Sequence, residues 1–294
     1  MWHEPGDKKD YTDAMSKADA IVAVLGLAGE LEGEEMPINV EGFSGGDRTS
    51  LDLPKAQRDL LQELVGSGKP VVVVLMNGSA LAVNWADEHA KAILEAWYPG
   101  EEGGTAVAEA LAGDFSPGGR LPLTFYKSVD QLPAFDDYNM NGRTYRYFRG
   151  EPLYPFGYGL SYTNFEYSNL SFDKPSVGAT DDLIASADVK NSGKIAGDEV
   201  VQVYVTHTGI EGASLRELEG FKRVHLGAGE LQTVRIEIPN RQLSVVERDG
   251  TRKIVPGELQ VWIGGGQPVA REGLPKTAGI SGSVKLNGEA ILPK

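Results

Sequence analysis

Two uninterrupted apolar runs, Ile21–Leu25 (IVAVL) and Val71–Leu75 (VVVVL), do most to narrow the folds open to this chain. A run without polar alternation suits a strand buried on both faces, the situation of a parallel sheet covered by helices. Between the runs, Leu53-Pro54 opens a predicted helix with Leu60, Leu61, Leu64 and Val65 on its apolar face. Gly66 stands where a C-terminal cap glycine belongs. Ile93–Trp97 is predicted as a third strand, Leu81–Ala90 as a short helix before it, and Gly103–Leu111 as a helix ending at Gly113. Strand and helix alternating in this order imply a parallel sheet with covering helices.

After about residue 115 the pattern changes. Pro117-Gly118-Gly119 reads as a turn and Leu121–Phe125 as a short strand. Gln131–Tyr162 follows as an irregular stretch, with seven tyrosines or phenylalanines between Tyr145 and Tyr162, read as an aromatic linker that wraps back on the α/β part. From about Phe165 only strand signals remain: Ile184–Val189, Val200–Thr206, Leu215–Val224, Thr233–Ile238 and Leu259–Ile263. Asn191-Ser192-Gly193, Gly227-Ala228-Gly229 and Asp249-Gly250 separate them as turns. Short strands at this spacing predict a sandwich of immunoglobulin or fibronectin type. The expected architecture is an α/β sandwich with its aromatic linker over 1–165, then an all-β sandwich over 166–294. A length of 294 residues is comfortable for two such domains.

Composition excludes several function classes. The formal net charge is −14 and the pI about 4.8, so the chain lacks the basic footprint that nucleic acid requires, and an anionic membrane would repel it. No run approaches the roughly 18 apolar residues of a membrane span, and Met1-Trp2-His3-Glu4-Pro5 does not read as a signal peptide. The expectation is a soluble chain, on either side of a bacterial membrane. Without cysteine there is no thiol catalysis, disulfide or cysteine zinc site. His3, His89, His207 and His225 match no metal-ligand spacing, and Ser44, Ser79 and Ser161 lie in no G-x-S-x-G elbow. Gly66-Ser67-Gly68-Lys69 fails as a phosphate loop, because Pro70 replaces the Ser/Thr and a strand follows.

The loop from Gly26 to Arg48 is the main candidate site. It holds Glu30, Glu32, Glu34, Glu35 and Glu41, then Gly45-Gly46-Asp47-Arg48. Ligands of open α/β sheets bind beyond the carboxyl ends of the strands, where this loop starts, and it far exceeds the usual 2–6-residue connection. A solvated acidic loop is the competing reading. Asp47 and Arg48 are either a structural ion pair or ligands for hydroxyl groups. Trp97-Tyr98 either stacks on a sugar ring or fills the core, and Glu101 and Glu102 are explained by a helix N-terminus.

Six segments in this order resemble the C-terminal half of the family 3 glycoside hydrolases, the β-glucosidases and β-xylosidases. They are GLAGELEGEEM (Gly26–Met36), EGFSGGDRTSLDLP (Glu41–Pro54), KPVVVVLMNGS (Lys69–Ser79), AWYPGEEGGTAVAEALAGDFSPGGRLPLTF (Ala96–Phe125), GRTYRYF (Gly142–Phe148) and EPLYPFGYGLSYTNFEY (Glu151–Tyr167). Val189–Val205 and Leu215–Glu230 resemble the fibronectin-like domain that follows in many members.

The resemblance implies a retaining hydrolysis of β-glucosides or β-xylosides by two carboxyl groups about 5–5.5 Å apart, without a cofactor or metal. An aspartate nucleophile is carried in the family on an N-terminal (β/α)8 barrel, and a glutamate acid/base on a loop of the α/β-sandwich domain. A barrel of about 250 residues has no room here, so the chain is expected to be incomplete alone and to need a separate barrel chain or domain. LEGEEM resembles an E-x-E element of xylosidase-like members, which places Glu34 first and Glu32 second as acid/base, ahead of Glu35 and Glu41. Asp47 and Arg48 fall on substrate-binding positions. A non-catalytic carbohydrate-binding or scaffold protein is the alternative.

Overall fold

A computed structural model describes residues 8–33 and 35–293, with side chains from residue 11 onward. The chain divides into two compact units. The described residues up to Ala108, with Phe125–Ala134 and Glu151–Leu153, form the first; Glu109–Thr124, Phe135–Gly150 and residues 154–293 form the second. No helix among the described residues is long and apolar enough to cross a membrane.

The first unit runs α1 (Lys8–Lys17), β1 (Ile21–Gly26), a two-residue ladder of β2 (Phe43–Ser44) and β3 (Asp47–Arg48), α2 (Lys55–Gly66), β4 (Val71–Met76), α3 (Asn84–His89), β5 (Ala92–Glu95) and the start of α4 (Gly103–Ala112). Strands β1, β4 and β5 form a parallel sheet in that order, with Val22 opposite Val72 and Val72 opposite Ala92. Central β4 is buried at Val71, Val73, Val74 and Leu75, as its unbroken apolar run requires. Edge strand β1 differs from expectation. Ala23 and Leu25 are buried, but Val22 and Val24 on the opposite face are 51% and 58% exposed. One face of β1 is thus uncovered by the described residues.

Helix α2 buries Leu61 and Leu64, and Leu60 and Val65 are half-buried. Its cap is not Gly66, which stays helical. Gly68 takes the left-handed conformation (φ +76°) and donates its N–H to the Val65 carbonyl, so the cap lies two residues later. Strand β5 ends at Glu95, short of the predicted Trp97, because Trp97 itself turns to φ +55°. Helix α4 ends as expected, with Gly113 (φ +83°) donating to the Glu109 carbonyl at 3.0 Å.

The second unit is a β-sandwich. Its strands are β6 (Phe165–Phe172), β7 (Ser176–Gly178), β8 (Leu183–Asn191), β9 (Gly197–His207), β10 (Glu217–Leu226), β11 (Leu231–Ile238), β12 (Val245–Val246), β13 (Arg252–Ile254), β14 (Gly257–Gly264), β15 (Gly279–Asn287) and β16 (Ala290–Leu292). One sheet has the order β10-β9-β14-β15-β7, a second β11-β8-β6, and a small third β12-β13-β16. Period-2 alternation builds the core: Leu183, Ala185, Ala187 and Val189 on β8 face inward with Val201, Val203 and Val205 on β9.

The predicted strand Leu121–Phe125 does not form. Pro122 has no N–H to give, and Leu121 instead exchanges hydrogen bonds with Tyr158 and Gly157 (2.9 and 2.7 Å). The aromatic stretch contains a short helix missed in the sequence, α5 (Thr144–Tyr147). It is fixed to the sandwich: Tyr145 stacks on Phe156 at 4.3 Å and stands edge-on to Tyr204, and Arg146 pairs with Glu217.

Candidate functional site

The carboxyl ends of β1, β4 and β5 lie side by side, and the candidate residues gather on the turns that leave them. The first turn is fixed by Gly26. Its backbone N–H and carbonyl bond Gln57 Oε1 and Nε2 at 2.9 and 2.8 Å, and a Cβ at this position would lie 1.9 Å from the Met76 carbonyl oxygen. No residue larger than glycine fits there. The long loop closes on itself in the same way: a Cβ on Gly46 (φ +91°) would meet the Gly33 carbonyl oxygen at 1.4 Å, and Met36 N–H donates to the Gly45 carbonyl at 3.1 Å. The Gly45-Gly46 pair is the crossing point of the loop's two ends.

On β3 the Arg48 side chain enters this site, whereas Asp47 is exposed. Arg48 Nη1 donates to Ser79 Oγ (2.8 Å) and the Ala80 carbonyl (2.9 Å), and Nε donates to the Ser50 carbonyl (3.2 Å). Its Nη2 is buried and has no hydrogen-bond partner among the described residues. Burial pulls the guanidinium below its ordinary range, opposed by Glu32, Asp52 and Tyr98. It remains a cation.

Glu32 occupies the centre. Its Oε1 accepts from Ser79 Oγ at 3.1 Å and its Oε2 from the Tyr98 hydroxyl at 3.2 Å. Ser79 therefore accepts from Arg48 and passes its own proton toward Glu32, a relay of three side chains from three segments. Tyr98, 53% exposed, also lies 3.1 Å from the Leu27 carbonyl; its hydroxyl titrates higher than usual through local desolvation and then the charge of Glu32. Of the two readings for Trp97-Tyr98, Trp97 packs edge-on against Phe125, whereas Tyr98 serves the loop.

The other loop glutamates are distributed around this centre. Glu34 lies outside the described residues. Glu35 is exposed at φ +49°, and exposed Glu41 faces Arg58 at 3.8 Å. Below the site, fully buried Asn77 donates from Nδ2 to the Ser79 carbonyl (2.8 Å) and points toward Glu95 Oε2 (3.5 Å); Glu95 Oε1 accepts from Trp97 N–H at 3.2 Å. Burial pushes the Glu95 carboxyl up to about 7, against the two hydrogen bonds. Asn77, Ser79 and Tyr98 lie in the Lys69–Ser79 and Ala96–Phe125 segments that carry the family resemblance, but nothing in the sequence joins them to Glu32. Glu95 has no motif to mark it and is traced only by its position at the end of an apolar run. Among the described residues no group of three or more metal-ligating side chains is assembled. The arrangement offers hydroxyls, a carboxylate and an unused guanidinium donor, a set that suits a polyhydroxylated ligand.

Residues 5–162 match the Glycosyl hydrolase family 3 C-terminal domain, and residues 199–267 match a Fibronectin type III-like domain. The chain is 43% identical over 259 residues to a xylan 1,4-beta-xylosidase of Xylanibacter ruminicola, covering 87% of itself and 30% of that protein. It is 37% identical over 268 residues to a periplasmic beta-glucosidase of Salmonella typhimurium, covering 87% of itself and 34% of that protein. A crystal structure of the beta-glucosidase from Kluyveromyces marxianus in complex with glucose superposes with a TM-score of 0.80 at 31% identity, over 96% of this chain and 34% of that one. The chain thus spans about a third of the length of these relatives. With its α/β unit, its fibronectin-like sandwich and its glutamate loop in place, the chain belongs to glycosyl hydrolase family 3, of which it carries the C-terminal domain.

Proposed function

We propose that this chain is the acid/base half of a retaining β-glycosidase acting on β-xylosides or β-glucosides, with the nucleophile on a (β/α)8 barrel, as a chain or a domain outside residues 1–294. The carrying observation is the Arg48–Ser79–Glu32–Tyr98 network at the carboxyl ends of the sheet, inside a loop that two glycines hold closed. Glu32 Oε1 accepts from Ser79, and Oε2 shares the single Tyr98 hydroxyl proton with the Leu27 carbonyl. A general acid must instead reach the leaving oxygen with a free O–H. In this reading Glu34 is the acid/base and Glu32 sets the pose of the loop, while Arg48 Nη2 takes a sugar hydroxyl. The uncovered Val22 and Val24 supply apolar surface for a covering partner, since parallel sheets are buried on both faces.

The chain combined with a family 3 barrel tests the assignment. Glu34→Gln is expected to lower kcat on alkyl β-xylosides or β-glucosides by about 10²–10⁴-fold. It should leave glycosylation by a dinitrophenyl glycoside nearly intact, because that leaving group needs no proton, and azide should restore turnover. Glu32→Gln is expected to lower activity without azide rescue. Rescue in Glu32→Gln and not in Glu34→Gln would exchange the roles. Glycoside binding without hydrolysis in a complex shown to form would favour the carbohydrate-binding reading.

A further inference from the structure

Glu95 is the one ionisable side chain in the apolar run of β5, and it stands behind the network rather than in it. On one side it accepts the Trp97 N–H, at the head of the Trp97–Tyr98 turn whose hydroxyl reaches Glu32. Trp97 is held at φ +55°, a left-handed conformation that is strained for a side-chain-bearing residue and persists where its surroundings impose it. On the other side Glu95 faces the amide of Asn77, which holds the Ser79 carbonyl. The Asn77 amide is fully buried, and its Oδ1 has no hydrogen-bond partner among the described residues.

We propose that Glu95 is a positioning residue, tying the Trp97–Tyr98 turn to the Asn77–Ser79 turn and so setting both hydroxyls that hold Glu32. The proposal deepens the glycosidase reading and rests on it for the meaning of Glu32. The position is sensitive to protons. Burial places the Glu95 carboxyl near 7, and the charged and titratable groups on the surrounding turns are Glu32, Arg48 and Tyr98. Neutral Glu95 has an O–H to give, while the Asn77 amide presents its Nδ2 donor to Glu95 and keeps Oδ1 without a hydrogen-bond partner among the described residues. Ionised Glu95 keeps only the Trp97 and Asn77 N–H bonds. The two states pull differently on the turns.

The test reads the turns without turnover. In the full chain, the Trp97 amide, the Ser79 amide and the Tyr98 ring resonances are followed by NMR from about pH 5 to pH 9, a window spanning the ordinary and raised carboxyl ranges. All three are expected to move with one shared midpoint near 7, together with the Glu95 side-chain carboxyl carbon. Glu95→Gln, which keeps an acceptor for Trp97 and adds a donor for Asn77, is expected to remain folded and to remove the shared transition. Glu32→Gln is expected to leave the Trp97 transition in place. A flat Trp97 amide in the wild-type chain overturns the proposal. So does a Trp97 transition that Tyr98 and Ser79 do not share, or one that survives in Glu95→Gln. The wild-type titration decides even if a variant fails to fold. Absence of hydrolysis in the barrel complex would overturn the glycosidase reading and leave this titration unchanged.

Discussion

Gly45 and Gly46 are neighbours with positive φ, yet only one of them is crowded. A Cβ on Gly45 (φ +62°) would stand in open space, whereas one on Gly46 would collide with the Gly33 backbone. Gly45→Ala is therefore expected to cost about 1 kcal/mol from backbone strain alone, and Gly46→Ala clearly more, because backbone atoms must move. Urea denaturation of the two variants measures the difference. Gly46→Ala should also misplace Arg48, two residues on, and weaken glycoside binding in ways that Gly45→Ala does not. Equal costs would mean that the loop ends do not cross at Gly46. At this scale the residue types were legible in the sequence but their reasons were not. GGDR marks a turn in any chain; the carbonyl of Gly33 that forbids a side chain is a tertiary fact.

Among elements, the segment before Leu121 depends on a buried ion pair. Arg120 Nη2 contacts both Glu199 oxygens at 3.1 and 3.0 Å, Arg120 Nε donates to the Gly265 carbonyl at 2.8 Å, and the side chains are 9% and 3% exposed. Removing one partner leaves the other charge buried and unpaired, so Arg120→Met is expected to destabilise the sandwich unit by about 3–5 kcal/mol. Replacing both, as Arg120→Met with Glu199→Leu, should recover most of that loss. Thermal unfolding followed at a sandwich tryptophan, Trp262, reads it. A double variant no more stable than the single one would show that packing, rather than charge, was lost. Elements with a strong period were readable from residues alone, as β4, α2 and the strands of the sandwich show. Element ends were less so. Trp97 leaves the strand because local contacts override its β preference, Gly68 replaces Gly66 as the cap because α2 extends a further turn residue, and Pro122 denies the expected strand a donor.

At the scale of the molecule, each unit holds a carboxyl group that burial keeps protonated to unusually high pH: Glu95 in the first and Glu219, beside Glu217, in the second. A carboxyl whose folded pKa is raised binds its proton more tightly in the folded state. The stability tied to it is fully present below its unfolded value and is lost as pH rises through the folded value. Glu217 is shifted the other way, its guanidinium and hydrogen-bond partners outweighing burial, and its contribution is lost as pH falls. Unfolding free energy is therefore expected to decline from about pH 5 to above pH 7, by on the order of 2 kcal/mol for Glu95. Glu95→Gln should flatten that decline in the first unit, and urea midpoints across pH check it. A stability that rises across this range would contradict the burial of both groups. The sequence carried the two-part architecture and the loop, since these rest on local periodicity. It did not carry the Glu32–Tyr98 and Glu32–Ser79 bonds, which join residues 66 and 47 positions apart, nor Glu95 behind them.

The proposed division of the active site is tested most directly by hydrolysis of p-nitrophenyl β-xyloside and β-glucoside by the purified chain, alone and mixed with a family 3 barrel domain. A divided site predicts no turnover by the chain alone and turnover in the mixture that fails in Glu34→Gln. Turnover by the chain alone that survives in both Glu34→Gln and Glu32→Gln would contradict it.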